Sequence, residues 1–332
     1  MLKTGKLDSD LLKELVFDKI TYRSNEVKVR PGIGEDCAVM DFGEYECIMS
    51  TDPITAAVND IGRLAIHITC NDIASNGVQP LGIMLAVMLP EGTTEEEVSY
   101  IMGQAAETAG SLNVEIIGGH TEITPAVKQP VIVSTAIGKT ASGTSQSGND
   151  MMPGDLIMMT KSVGLEGTGI IAYDYEQQLK DILTEEEIAR AKGFLDLVSV
   201  VPEGAAAGKV GTHGMHDITE GGILGAVWEM CQISGKGAQV WQEKIPMEEV
   251  TGKICEFYDI DPLRLISSGS MVIVVPADKE AAMAEAMKKA AISYSIIGRV
   301  EEKSYGVKLT DGGQSLEIAP PSADEIYKVV GK

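Results

Sequence analysis

The chain is predicted to fold as an α/β (α+β) protein of two domains, on three observations. Its 332 residues exceed the roughly 250–300 over which a single core keeps growing. Apolar runs of strand character alternate with amphipathic helical segments throughout. A small, polar stretch at 141–150, ASGTSQSGND, interrupts that alternation, which then restarts.

Before the interruption, YECIMS (45–50) has the pattern of a strand and a helix is expected over about 58–76. LGIMLAVML (81–89) follows as a buried strand. Thr93 and Thr94 then precede Glu96 and Glu97 at capping-box spacing, which starts an amphipathic helix running to Leu112. VEIIGG (114–119) and PVIVSTAIG (130–138) are further strands. After the interruption come a strand, DLIMMT (155–160), and helices over about 168–183 and 185–197. Further helices follow Pro202 and span Gly221 to about 234. SMVIVV (270–275), an Ala-rich helix (277–290) and strands near 294–300 and 306–318 close the chain. The predicted domains are 1–150 and 151–332.

Composition excludes several classes. Net charge is −22 with a pI near 4.5 and 5% aromatics, so neither a basic face nor a stacking platform for nucleic acid is expected. Five cysteines (Cys37, Cys47, Cys70, Cys231, Cys255) form no C-x-x-C pair; neither a zinc cluster nor a disulfide framework is indicated. The N-terminus has no signal-peptide pattern, and no apolar run approaches the ~20 residues that span a bilayer. A cytoplasmic protein with no membrane or nucleic-acid partner is expected.

The informative feature is where certain acids lie. Gly34-Glu35-Asp36, Thr51-Asp52, Asn71-Asp72, Gly118-Gly119-His120-Thr121-Glu122 and Asp217-Ile218-Thr219-Glu220-Gly221-Gly222 place carboxylates at predicted element ends beside glycine, amide or hydroxyl residues. Magnesium bound to a nucleotide takes one or two carboxylates plus phosphate oxygens. Glycine lets backbone amides approach phosphate, and a helix start holds anions. Any one of these segments alone is more simply a turn or a cap; five together favour a nucleotide site. No P-loop motif is present. Gly167-Thr168-Gly169-Ile170-Ile171-Ala172 approximates a dinucleotide fingerprint but is weak by itself. His213, His216 and Asp217 suggest a metal triad, although two histidines in a glycine-flanked loop more often serve structure or phosphate contact.

PGIGEDCAV, STDPI, DIGRLAIHITCNDIASNGVQP, GGHTEI and MHDITEGGILGA, in this order, resemble the aminoimidazole ribonucleotide (AIR) synthetase superfamily over essentially the whole chain. That superfamily includes thiamine-monophosphate kinase, selenophosphate synthetase and the HypE-type hydrogenase maturation factor, and the HypE-like branch is the nearest match. The resemblance implies an N-terminal α/β domain that dimerises through its sheet, a C-terminal α/β domain, and ATP with Mg2+ in the cleft. It implies Asp36, Asp52, Asp72 and Asp217 as metal ligands, with Asp72, Asp217 and Glu220 as catalytic residues. Gly34, Asn71, Gly118, Gly119, Thr121, Thr219, Gly221 and Gly222 are the implied nucleotide contacts. The implied activity is ATP-dependent activation of an amide or carbonyl-type oxygen of a small-molecule or protein acceptor, in a homodimer. A thiamine-monophosphate-kinase-like kinase, an AIR cyclo-ligase and a non-catalytic nucleotide-binding partner protein are the alternatives.

Two departures from the family pattern stand out. His120 occupies a position where relatives often carry an acid, and the chain closes on PPSADEIYKVVGK, where HypE-type relatives carry a terminal cysteine. Ser322 and Tyr327 are much weaker nucleophiles than a thiolate. Ile326, Val329 and Val330 have helical spacing, so the expectation is a short terminal helix docked on the body, not an arm that carries substrate.

Overall fold

The computed structural model describes residues 7, 9–55, 60–146, 148–321 and 323–330. A first sheet holds β1 (Val27–Val29), β2 (Ala38–Asp41), β3 (Tyr45–Ile54), β4 (Pro80–Leu89), β5 (Glu115–Ile123) and β6 (Val131–Ala141), in the order β1-β2-β3-β6-β4-β5. Helix α1 (Ser9–Leu15) precedes it, α2 (Ile61–Ser75) joins β3 to β4, and α3 (Glu95–Ser111) joins β4 to β5. The β4–β5 pair is parallel, as its helical crossover requires; the other pairs are antiparallel.

The second sheet holds β7 (Leu156–Thr160), β8 (Gly214–Asp217), β9 (Gly237–Trp241), β10 (Met271–Val275), β11 (Tyr294–Glu301), β12 (Val307–Asp311) and β13 (Gln314–Glu317). Their order is β13-β12-β9-β11-β7-β10-β8. Helices α4 (Leu165–Asp174), α5 (Glu176–Leu179), α6 (Glu185–Gly193), α7 (Val201–Val210), α8 (Gly222–Ser234), α9 (Glu249–Tyr258) and α10 (Glu280–Lys289) complete this half. The sequence-predicted α/β class and two-part organisation are what the structure has.

Local chemistry accounts for several boundaries. Thr94 accepts from the Glu97 amide at 3.2 Å while Glu97 accepts from the Thr94 amide at 2.7 Å, so the capping box starts α3. The span expected as one closing strand at 306–318 is a hairpin, β12–β13. Gly312 and Gly313 turn it, with φ of 53° and 87°; two positive φ values are what a tight hairpin turn demands. The dinucleotide-type reading at Gly167 is corrected: β7 runs antiparallel to both its neighbours, so no βαβ unit exists there. Gly167 and Gly169 instead admit Leu265 and Leu195, whose atoms would lie 2.5 and 2.6 Å from an added Cβ.

The helix between the two halves is α2. It is buried almost all round, from Ile61 to Ser75, as a helix packed on both sides must be. One side lies on the first sheet; another meets α7 and β8 of the second half. A continuous core therefore joins Ile48, Ile73 and Ile83 to Met158, Val200 and Ile273. Strand β10 is buried on both faces, with Met271, Ile273 and Val275 in that core and Val272 and Val274 in a second one beneath α8. This packing brings the ends of α2 and β8 and the loop before β2 to one place.

Candidate functional site

At the last turn of α2, the Asp72 carboxylate accepts from Ser50 Oγ of β3 at 2.5 Å. Burial first, then the charges of Asp217, Asp52 and Asp36 and a hydrogen bond with Asp52, push its pKa well above the usual carboxylate value. Asp217 ends β8 and is 1% exposed; its amide donates to Ser75 Oγ of α2 at 3.1 Å. Strand β8 is the free edge of its sheet, which leaves room for the Gly34–Asp36 loop. Cys37, just past that loop, donates to the Asp72 carbonyl at 3.2 Å. Its thiol is pushed well above its usual range, by burial first and then by Asp72, Asp36, Asp217 and Asp52. Four of the predicted acids thus converge from β3, α2, β8 and the loop before β2.

His216 is the contributor that sequence reasoning underweighted. It is 4% exposed, and its Nδ1 lies 2.6 Å from the Asp217 carbonyl. Nε2 lies 3.6 Å from Asp36 Oδ1 and 3.5 Å from Glu229 Oε2 of α8. Burial disfavours the charged ring, but Asp36, Glu229 and Asp217 outweigh it and hold the pKa at about 10. Ligand atoms of Asp36, His216 and Asp217 all lie within 4.8 Å of one another. The two histidines of the motif part company: His213 Nδ1 is 2.7 Å from Asp155 Oδ2, away from the acids. His213 precedes β8, whereas His216 lies within it next to Asp217.

Other predicted residues have different surroundings. Asn71 is fully buried; its amide donates to the Val198 carbonyl at 2.8 Å and accepts from the Val200 amide at 2.8 Å. Both ends of that side chain tie α2 to the second half, so a nucleotide contact by Asn71 is corrected to a structural tie. Gly118, Gly119 and Thr121 lie on the exposed outer strand β5. Asp52, Ser134, Leu85 and Gly119 form one row across β3, β6, β4 and β5. Three strand spacings of about 4.8 Å separate Gly119 from Asp52. Within one chain, Gly118 and Gly119 therefore do not sit over the acids. A Cβ on Gly119 would meet the Leu85 carbonyl oxygen at 1.9 Å, so close strand approach explains that glycine. His120 is exposed beside Glu122 at 3.3 Å.

The start of α8 departs from expectation as well. The Gly221 amide donates to Asp324 Oδ2 at 2.8 Å, Gly222 to the Thr219 carbonyl at 3.1 Å, and Leu224 to the Leu263 carbonyl at 3.2 Å. The anion cradle expected of Gly221 and Gly222 is corrected accordingly, because these amides have protein acceptors. Glu220 accepts from the Tyr327 hydroxyl at 2.9 Å. The terminal segment is docked: Ile326 and Val329 are buried, Val330 is exposed, and Tyr175 donates to the Val329 carbonyl at 2.9 Å. Ser322 lies outside the described residues.

The donor set fits hard divalent cations. Asp72 and Asp217 are buried and Asp36 and Asp52 partly buried; carboxylates so clustered repel one another, and a bound cation relieves that repulsion. Asp36, Asp52, Asp72 and Asp217 are therefore residues able to hold a divalent cation.

Two family models match the chain: the N-terminal domain of AIR synthase related proteins at residues 34–140 and the C-terminal domain at 152–309. A hydrogenase expression/formation protein of Methanocaldococcus jannaschii is 27% identical, with 98% of this chain and 97% of that one covered. The carbamoyl dehydratase HypE of Rhizobium leguminosarum bv. viciae is 30% identical, covering 76% of this chain and 72% of its own length. Among solved structures, a HypE–HypF complex aligns with a TM-score of 0.77 at 26% identity, covering 93% of this chain and 99% of that one. With both domain models matched in order and HypE-type proteins similar along most of its length, this chain belongs to the AIR synthase related family.

Proposed function

We propose that the chain is a HypE-type, ATP-dependent enzyme that activates an amide or carbonyl-type oxygen by phosphoryl transfer, with Mg2+ as the ion. The observation that carries this reading is the convergence of Asp36, Asp52, Asp72 and Asp217 at the junction of the two halves. Phosphoryl transfer is mainly positioning and charge neutralisation. Bound Mg2+ supplies that neutralisation at the phosphate oxygens. The chain's residues supply the positioning. Ser50 fixes the Asp72 carboxylate and Ser75 fixes the backbone of Asp217. Cys37 stays a thiol under the field of four acids and is not the nucleophile.

A carboxamide whose oxygen has received the γ-phosphoryl group can lose phosphate to become a nitrile, giving ADP and inorganic phosphate overall. The HypE name of the relatives supports that outcome, and the HypE–HypF complex supports a protein that presents the acceptor. A homodimer through the first sheet belongs to the same reading. Leu81, Met84, Ile117 and Ile123 are 40–51% exposed on β4 and β5, an apolar area that a second copy would cover. Sedimentation should give a dimer at micromolar protein; a monomer counts against that part.

The decisive experiment incubates the full chain with γ-labelled ATP, Mg2+ and a carbamoylated thiol peptide. Free labelled phosphate with a nitrile product supports dehydration. Label retained on a product would make the chain a kinase, and absence of Mg2+-dependent turnover would make it a binding module.

A further inference from the structure

We propose that His216 makes one of the cation positions a mixed nitrogen–oxygen site, built from His216 Nε2 and Asp36 with Glu229 at its rim, which takes a first-row transition ion such as Mn2+ in preference to Mg2+. The inference concerns the ion site on which the proposed function rests, but its test uses neither nucleotide nor acceptor, so the two can fail separately.

Three independent features of the ring support it. The first is orientation. Nδ1 lies 2.6 Å from the Asp217 carbonyl oxygen, which can only accept, so Nδ1 carries the donated proton. A metal-ligating histidine is held in this way, with one ring N–H on a carbonyl or carboxylate and the other nitrogen turned to the ion. The second is burial. Nε2 is buried and makes no well-formed hydrogen bond, with only the longer ion-pair contacts to Asp36 and Glu229 facing it. The third is spacing. Two donors each about 2.1 Å from one ion lie roughly 3.0–3.4 Å apart, depending on coordination geometry. The distances from Nε2 to Asp36 Oδ1 and to Glu229 Oε2 are 3.6 and 3.5 Å. These are long for hydrogen bonds and within a few tenths of an ångström of that spacing.

The donor type then decides the ion. Magnesium prefers carboxylate, phosphate and water oxygens and retains several waters. Imidazole nitrogen suits first-row transition ions, whose affinity rises along the series from Mn2+. The remaining acids, Asp52, Asp72 and Asp217, offer oxygen alone and keep the character of a magnesium position.

The test is pulsed electron paramagnetic resonance on the full chain with Mn2+ alone, together with competition by Mg2+. The wild-type protein should show coupling from a directly bound 14N, and Mn2+ should bind at least about tenfold more tightly than Mg2+. His216→Gln should abolish the 14N coupling and weaken Mn2+ by about 10- to 100-fold, with Mg2+ affinity changed less than about threefold. Absence of 14N coupling in the wild type overturns the proposal, and that measurement depends on no variant's folding. Coupling that survives in His216→Gln, or unchanged Mn2+ affinity there, overturns it equally.

Discussion

At residue scale, Asp72 shows how stability and activity pull apart in this site. Its carboxylate is forced among Asp217, Asp52 and Asp36 in a buried place, an arrangement unfavourable to the folded chain when no cation is present. Asp72→Asn keeps the shape and the Ser50 contact while removing one charge. Without metal, its thermal midpoint should match or exceed that of the wild type. Magnesium-dependent ATP turnover should fall on the order of 10²-fold or more. A variant that loses stability and keeps its turnover would identify Asp72 as a mere structural polar group. Glu166, on α4, gives a pH-dependent counterpart. Burial raises its pKa from 4.5 to about 7, with Ser268 opposing and Asp324 and Glu220 adding to the shift. The folded chain thus holds this proton more tightly than the unfolded chain does. The contribution is complete below about pH 4.5 and declines as pH rises through about 7, by about 3 kcal/mol in all. Denaturant melts of Glu166→Gln should lack that decline, so the variant gains on the wild type between pH 5 and 7.5. Parallel curves would remove Glu166 as its source.

At element scale, the terminal segment acts as a strap on the loop that opens α8. Asp324 accepts from the Ile326, Gly221 and Ile266 amides at 2.9, 2.8 and 3.2 Å. Asp324→Ala orphans three donors at a buried place, and should cost about 3 kcal/mol or more. Hydrogen exchange at the Gly221 amide should accelerate in that variant. Unchanged protection there would show that the loop holds its shape without the strap. The pattern Ile326, Val329 made docking legible from sequence, since both side chains are buried. The polar half of the strap was not legible, because an aspartate that caps a turn and also reaches a loop over 100 residues upstream has no local signature.

At the scale of the whole molecule, the site exists only because the two halves meet along α2 and α7. Gly204 lies in that contact, where an added Cβ would sit 2.2 Å from the Ala74 carbonyl oxygen. Gly204→Ala should therefore force the helices apart and cost about 3 kcal/mol. Gly110, in α3, has nothing within 4 Å of an added Cβ, and Gly110→Ala should stabilise by about 0.5–1 kcal/mol through helix propensity. Equal effects in thermal unfolding of the two variants would refute close helix approach as the cause. The Asn71 side chain crosses this seam, and the Lys161–Glu203 pair at 2.7 Å braces α7 within the second half. Lys161 also donates to the Ser199 and Gly269 carbonyls at 2.8 and 2.6 Å.

The sequence by itself determined the α/β class, the alternation broken at 141–150, the capped start of α3 and which acids to look for at the junction. These are short-range properties: periodicity, capping chemistry and residue type act within a few positions along the chain. Short elements such as β8, β9 and α9 escaped that reading, since GMHD and GAQVW carry too little period to distinguish them from loop. What only the tertiary structure decided was which groups share a place. Asp36, Asp72 and Asp217 converge while Gly119 lies three strands from Asp52. His216 turns toward the acids while His213 turns away. The Gly221 amide serves Asp324, and Asn71 serves the seam. Each of these depends on strand register and helix packing between segments tens to hundreds of residues apart, a geometry that no local pattern encodes.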